Sequence, residues 1–537
     1  MRKILFCLIL FSFGFFKAQQ TVNHHVDFSS GNQNMWGPSF NAFSFNQVIP
    51  IFDVPWNVNF DTGNGGIVNI LGQSFGAGIA GLTSAAILSK LGLSVTLIEA
   101  HKQSGGCAGT FKRNGYIFDV GATQVAGLES GGIHSRIFNF LQIDNPDASL
   151  LDPSCIVDLN DGSRPINIWY ERSMWISERK KQFPGSERFW ELCNLIHQSN
   201  WKFANQDPVI PIRNLWDFSQ FINALNPQNL LTGFLLKSSM FDLLKICGSD
   251  KDKRLIKFLN LQLKLYSQEN VYKTAALYGC TVLQMSQRPH GLWHLKGSMQ
   301  ALSSSLEDSL KSTNAKILFN QKVNSLQYDS QKKLWKINSL KGVKVNEYYA
   351  HDVIYTPPPQ GLINLLVDKK DNYFKYQNRL KNLPKPSGAL VFYSALKKEN
   401  MINISSNHYQ FVFKEFGSLF VSISEEGDGR APMGEITLIA SIFTKTQEWF
   451  DLEKDQYIFK KNQYLNKISK ALEDKFKISP DDWSHRELST PRAFERWTNR
   501  PRGIVGGLGQ NPEIFGLFGL SSRTPFEGLW LCGDSIY

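Results

Sequence analysis

From Gly76 onward the chain alternates between two kinds of apolar pattern, and the stretch before it shows neither. Ile79 to Leu91 is a run of small and apolar residues that predicts a helix, and Ser94 to Glu99 (Ser-Val-Thr-Leu-Ile-Glu) predicts a short strand. The middle, from about Phe189 to Leu310, reads as mostly helical. Strand signals return at Lys316–Phe319, Asp352–Thr356, Gly388–Tyr393 and Ser418–Ile423, and last at Gly528–Cys532. Strands alternating with helices predict an α/β protein. Residues 19–66 are rich in Asn, Phe, Gly and Pro, almost lack Lys and Glu, and have no helical periodicity. No internal repeat or low-complexity tract interrupts the pattern.

The first glycine-rich segment, Gly76-Ala77-Gly78-Ile79-Ala80-Gly81, opens the predicted helix. A strand-to-helix turn that approaches a pyrophosphate needs Gly76 for the tight turn, Gly78 to clear the space under the phosphates, and Gly81 for helix–sheet packing. The helix N-terminus then presents free N–H groups and partial positive charge to the anion. A lone G-x-G-x-x-G is a weak signal, but here a helix and a strand follow, and Glu99 stands where a carboxylate can accept hydrogen bonds from a ribose. Gly105-Gly106 brings more bare backbone, Phe118-Asp119-Val120-Gly121 gives a second turn, and Gly528-Leu-Trp-Leu-Cys-Gly-Asp534 is a strand ending in Gly-Asp. A carboxylate at Asp534 can bind the ribitol hydroxyls of a flavin. A glycine turn near the start with strand–Gly–Asp at the far end favours FAD over NAD.

The run Gly105-Gly106-Cys107-Ala108-Gly109-Thr110-Phe111, followed by Gly115 to Gln124, resembles the FAD-dependent carotenoid desaturase/isomerase family. Further similar stretches are Gln182 to Ser186, Arg213 to Asp217, Leu261 to Gln268, Glu426 to Pro432 and Gly503 to Gly507, so the resemblance spans about Gly76 to Tyr537. It implies a two-dinucleotide-binding-motif flavoprotein: a Rossmann-like FAD-binding domain with an inserted α+β substrate domain. It also implies that Val323 contacts the adenosine portion of FAD, that Thr356-Pro357 ends the strand beneath the cofactor, and that Gly533 and Asp534 hold the ribityl chain. On this reading residues 1–18 are signal-like and 19–66 lie outside the flavoprotein fold. FAD-binding parts fall at 67–150, 296–365 and 501–537, a helical substrate and membrane domain at 151–295, and its second part at 366–500.

The implied reaction is desaturation of a carotenoid: flavin takes a hydride, and a proton leaves the adjacent carbon to water or a nearby carboxylate. The substrate demands a long apolar tunnel, because polar lining would be left unsatisfied. No catalytic side chain stands out. The electron acceptor is open between a quinone and oxygen. A cis–trans isomerase using reduced FAD shares every motif, and an amine oxidase shares the fold. His290 and His294 have the spacing of a metal pair but lack further ligands, and ordinary structural histidines are the expectation.

Composition adjusts the picture. Net charge is +11, from 58 basic and 47 acidic residues, with no basic block; this argues against a nucleic-acid groove and suits weak attraction to an anionic membrane surface or a merely solvated basic exterior. The 39 Phe suit an apolar cavity or membrane patch, and Trp216 to Leu244, with Lys237 and Lys245 interrupting it, suits a helix in the membrane interface or a core helix pair lining the tunnel. The 7 scattered cysteines argue for buried free thiols in a reducing compartment. The flavoprotein part is expected on the cytoplasmic face of a membrane. Against that, Arg2 and Lys3 precede an apolar run from Ile4 to Phe16 and then Ala18, the layout of a secretory signal.

Two departures from the family matter. The strand before Gly76 is central and should be uninterruptedly apolar, yet the chain reads Gly72-Gln73-Ser74-Phe75, and the run Ile67 to Leu71 sits too early. This predicts a junction of unrelated segments near Ser74-Phe75, with residues 1–75 dispensable. Second, the family continues past Gly-Asp-Ser into a turn and helix, whereas this sequence stops at Tyr537, which predicts a weak catalyst or an inactive, secreted flavin-like protein.

Overall fold

The computed structural model describes residues 72–367, 373–384, 386–401 and 404–536. The signal-like start and the 19–66 segment lie outside the described residues.

Five parallel strands form the nucleotide-binding layer, in the order Lys316–Leu318, Val95–Ile98, Gly72–Phe75, Val353–Tyr355, Leu529–Leu531. Alternation of side chains sorts the sheet into two faces. Val95, Leu97 and Ile354 pack under the helices Ile79–Lys90, Ile133–Leu141 and Gln300–Lys311. Ile98, Val353, Tyr355, Leu529 and Leu531 pack on the other side against Leu326, Trp335 and Ile337 of an antiparallel sheet, Lys322–Asp329, Leu334–Lys341 and Lys344–Ala350. Leu82 and Ile87 of the first helix are fully buried. Each such side chain contributes about 1.5–3 kcal/mol.

The strand Gly72–Phe75 corrects the expected junction. Its backbone pairs in parallel with Val95–Ile98 on one side and Val353–Tyr355 on the other, so residues 72–75 are the centre of the sheet and not a dispensable segment. The ladder uses backbone groups, which any residue but proline supplies, and the paired strands bring the buried Leu97 and Ile354.

The second half is built on a seven-stranded sheet, ordered Trp483–Ser489, Gly388–Lys397, Glu435–Thr444, Gly417–Ile423, His408–Phe413, Cys155–Asp158, Ile166–Ile168. The helix Lys454–Phe476 covers one face through Ile468, Leu472 and Phe476. A helical cluster beside it joins Trp175, Trp190, Met240, Leu243 and Phe258. Here the apolar stretch Trp216 to Leu244, expected as one interfacial helix or a core helix pair, is divided into three. It forms helices Leu215–Ala224, Pro227–Thr232 and Met240–Cys247, because Asn226 with Pro227 and the Ser239 capping box each restart the chain. Its two ends differ: Leu215 is 87 % and Phe234 88 % exposed, whereas Met240, Leu243 and Leu244 are fully buried. No helix among the described residues is long and apolar enough to cross a membrane.

Candidate functional site

The predicted residues collect at the C-terminal ends of the parallel strands. The strand Gly72–Phe75 runs into Gly76, which has φ 105°, and a Cβ there would stand 3.2 Å from Thr356 Oγ1. Gly78 caps the helix Ile79–Lys90 with ordinary extended backbone, and a Cβ built on it meets nothing within 4 Å. No side chain caps this helix and no acid sits in its first turn, so the first-turn N–H groups, including those of Ile79, Ala80 and Gly81, have no intrahelical acceptor. The second glycine turn folds against the first: Gly105 N donates to Ala77 O at 2.7 Å, and Gly106, Cys107 and Ala108 make one tight turn beside it.

Glu99 leaves its strand pointing back at the first turn. Its Oε2 accepts from Ala77 N at 2.5 Å and its Oε1 from His101 N at 2.7 Å. Thr356 lies between Gly76 and Gly533, where an added Cβ would sit 3.0 Å from Thr356 O. Asp534 follows, 42 % exposed, paired with Arg500 at 2.9 Å. Val323 is drawn in less directly: Gln321 N donates to Glu99 O at 2.9 Å and holds the segment before it. The open space over Gly78, the uncapped helix end and two carboxylates at either side fit the phosphates, ribose and ribitol of a flavin dinucleotide.

Sequence reasoning missed two features. One is Arg500, whose guanidinium pairs with Asp534 and acts electrostatically on Cys107. Burial pushes the Cys107 thiol up, against the pull of Arg500. The other is a buried ionic cluster below the site. Asp119, Arg430, Asp428 and His294 are each at most 3 % exposed. Arg430 Nη2 donates to Asp119 Oδ2 at 3.2 Å, its Nη1 pairs with Asp428, and the same nitrogen lies 3.0 Å from His294 Nε2. Asp119 Oδ1 accepts from Met299 N at 2.8 Å. Burial raises the Asp119 carboxyl despite Arg430; burial would also raise Asp428, but hydrogen bonds from His294 and Arg430 hold it below the usual range. Asp119 ends the strand Tyr116–Asp119, just after the second glycine turn, and Arg430 belongs to the seven-stranded sheet's loops. The cluster therefore rivets the nucleotide layer to the half built on the seven-stranded sheet. The motif stretch Glu426 to Pro432 contained Arg430, but nothing in it signalled burial.

The two histidines of the suspected pair go separate ways. His294 joins that cluster, while His290 Nδ1 lies 3.1 Å from Glu129 Oε1 and its Nε2 3.1 Å from His197 Nε2. Among the described residues no group of three or more His, Cys, Asp or Glu is arranged to hold a metal.

Three other histidines set an expected pH dependence. Burial lowers His408 to about 3 and His134 and His197 to about 4, from an ordinary 6.5. The unfolded chain takes up these protons below its own pKa while the fold refuses them. Stability is therefore full above about pH 6.5 and falls toward pH 4, by up to about 1.4 kcal/mol per pH unit for each histidine. Asp119 works in the opposite sense, since its raised carboxyl favours the fold as pH falls. Urea midpoints between pH 7.5 and 4.5 should drop, and His408→Gln should flatten the drop. An unchanged slope in that variant removes His408 from the account.

Residues 75–141 match the model of the NAD(P)-binding Rossmann-like domain. Over 86 % of its length the chain is 26 % identical to prolycopene isomerase 2 of an Oncidium hybrid cultivar, covering 79 % of that protein. It is 23 % identical to the all-trans-retinol 13,14-reductase of Danio rerio, covering 86 % of this chain and 82 % of that one. The chain is thus similar to carotenoid- and retinoid-acting enzymes of the carotenoid desaturase/isomerase-like flavoenzyme group. Its cofactor is FAD. The fold of this flavoenzyme is shared with cyclohexylamine oxidase from Brevibacterium oxydans, with a TM-score of 0.53 at 14 % identity, over 87 % of this chain and 94 % of that one. The Rossmann match starts at Phe75, inside the central strand, and ends with the helix Ile133–Leu141.

Proposed function

We propose that this flavoenzyme desaturates a carotenoid at a membrane surface, with FAD lying across the C-terminal ends of the five parallel strands. The observation that carries the cofactor placement is the open space over Gly78, bounded by the second glycine turn. In this reading the turn Gly76 to Gly81 and the helix N-terminus hold the pyrophosphate, and Gly105, Gly106, Cys107 and Ala108 close over it. Glu99 binds the adenosine ribose with the lone pairs left after its two backbone bonds, Val323 borders the adenosine, and Thr356, Gly533 and Asp534 hold the ribityl chain. When bound, FAD supplies the two-electron acceptor for a hydride; the protein orients one carbon–carbon bond and excludes water. A quinone or oxygen would take the two electrons onward. The exposed apolar residues Leu215, Phe218 and Phe234 suit contact with lipid, where such a substrate resides.

Relatives named as isomerases and as a reductase support a second reading, rearrangement or saturation of a polyene on the same site. Product mass separates them. Expressed in a carotenoid-producing host, the desaturase yields pigments lighter by two hydrogens per step, an isomerase yields unchanged mass, and a reductase yields heavier products. Unchanged or heavier products overturn desaturation; no change in pigment from a FAD-loaded protein overturns the carotenoid assignment.

A further inference from the structure

We propose that Arg500 is the counter-cation for the cofactor's pyrophosphate, a charge that neither glycine turn supplies from its own side chains. This rests on the reading that those turns hold FAD. Gly76 to Gly81 and Gly105 to Gly109 contain no Lys, Arg or His. The carboxylates of Glu99 and Asp534 already face the region, and a pyrophosphate adds two more negative charges. A helix N-terminus offers only about half a positive charge against them.

Arg500 is placed to make up the difference. Its side chain is 12 % exposed and pairs with Asp534 at 2.9 Å, and its charge acts on Cys107 in the second glycine turn. A Cβ on Gly106, the neighbour of Cys107, would stand 3.2 Å from Gly78 Cα, so the turn on which Arg500 acts backs directly onto Gly78. The arginine is fixed by its own loop: Nε donates to Ile504 O at 2.9 Å and Nη2 to Gly506 O at 2.6 Å. That loop presses on the site, because a Cβ on Gly507 would lie 1.7 Å from Asp534 O. It is also tied to the half built on the seven-stranded sheet, where Val505 N donates to Ser387 O at 2.8 Å. A planar fork with several donors suits a phosphate, and one held this firmly loses little entropy on binding.

The test compares two ligands of the apoprotein, FAD and riboflavin, which has no phosphate. Affinities are read by quenching of flavin fluorescence and folding by the apoprotein's thermal midpoint. For Arg500→Gln the FAD affinity should fall by about ten-fold or more, while riboflavin affinity changes by less than about two-fold. Equal weakening of both ligands, or of neither, overturns the proposal. If the Gln protein does not fold, Arg500→Lys carries the test: it keeps the charge and loses the fork, so the FAD-to-riboflavin preference should fall by about three-fold, and an unchanged preference overturns the proposal. A wild-type protein that binds no FAD rejects the cofactor placement itself, a result separate from either variant.

Discussion

Gly78→Val should leave the apoprotein folded and remove FAD binding. The backbone at Gly78 has φ −70° and ψ 172°, which any residue adopts, and its added Cβ meets nothing within 4 Å. Apoprotein stability should therefore change by no more than about 0.5 kcal/mol. The valine fills the room proposed for the phosphates, and a loss of about a thousand-fold in affinity, roughly 4 kcal/mol, is expected. Gly76→Val is the contrast. Its φ of 105° and the Thr356 hydroxyl 3.2 Å from the new Cβ put strain into the fold itself, about 1–3 kcal/mol. Flavin titration and apoprotein melting of the two variants distinguish a binding defect from a folding defect. Retained FAD affinity in the Gly78 variant would remove the phosphates from this turn.

Arg430→Met should produce the largest loss of stability. It leaves Asp119 and Asp428 buried beside each other's charge without their cation, a situation that costs about 3–5 kcal/mol. The loss should shrink at acid pH. Burial already raises Asp119, and without Arg430 it would take up a proton and become neutral more readily. Denaturant midpoints at pH 8 and pH 5 check both points. A loss below about 1 kcal/mol at pH 8 would mean that the cluster is not a structural rivet.

What could be read from the sequence was what local pattern controls. Ile79 to Leu91 announced its helix and Gly76 to Gly81 its turn, because a strand, a glycine turn and a helix leave a contiguous signature. Gly528 to Cys532 announced the last strand for the same reason. The strand Gly72–Phe75 was misjudged because its place in the sheet is set by backbone pairing on both sides, and apolar side chains are only the usual accompaniment. Trp216 to Leu244 was read as one helix or a pair, and the third helix was missed because the apolar count outweighed the caps at Asn226 and Ser239. Arg500 and Arg430 escaped because a charged residue in a loop reads as solvated, and only the fold reveals that Asp534, Asp119 and Asp428 stand beside them.

The order of strands in the nucleotide layer constrains how the protein is made. Val353–Tyr355 sits between Gly72–Phe75 and Leu529–Leu531, so one side of it stays unpaired until the last strand has left the ribosome. At about 5–20 residues per second that interval lasts on the order of ten seconds or more. During it the nascent chain carries an open apolar strand edge at Val353 to Tyr355, a template for wrong pairing. The same interval withholds Gly533 and Asp534 from the site, so cofactor loading is a late event, and yield in a heterologous host should depend on chaperone supply before it depends on flavin.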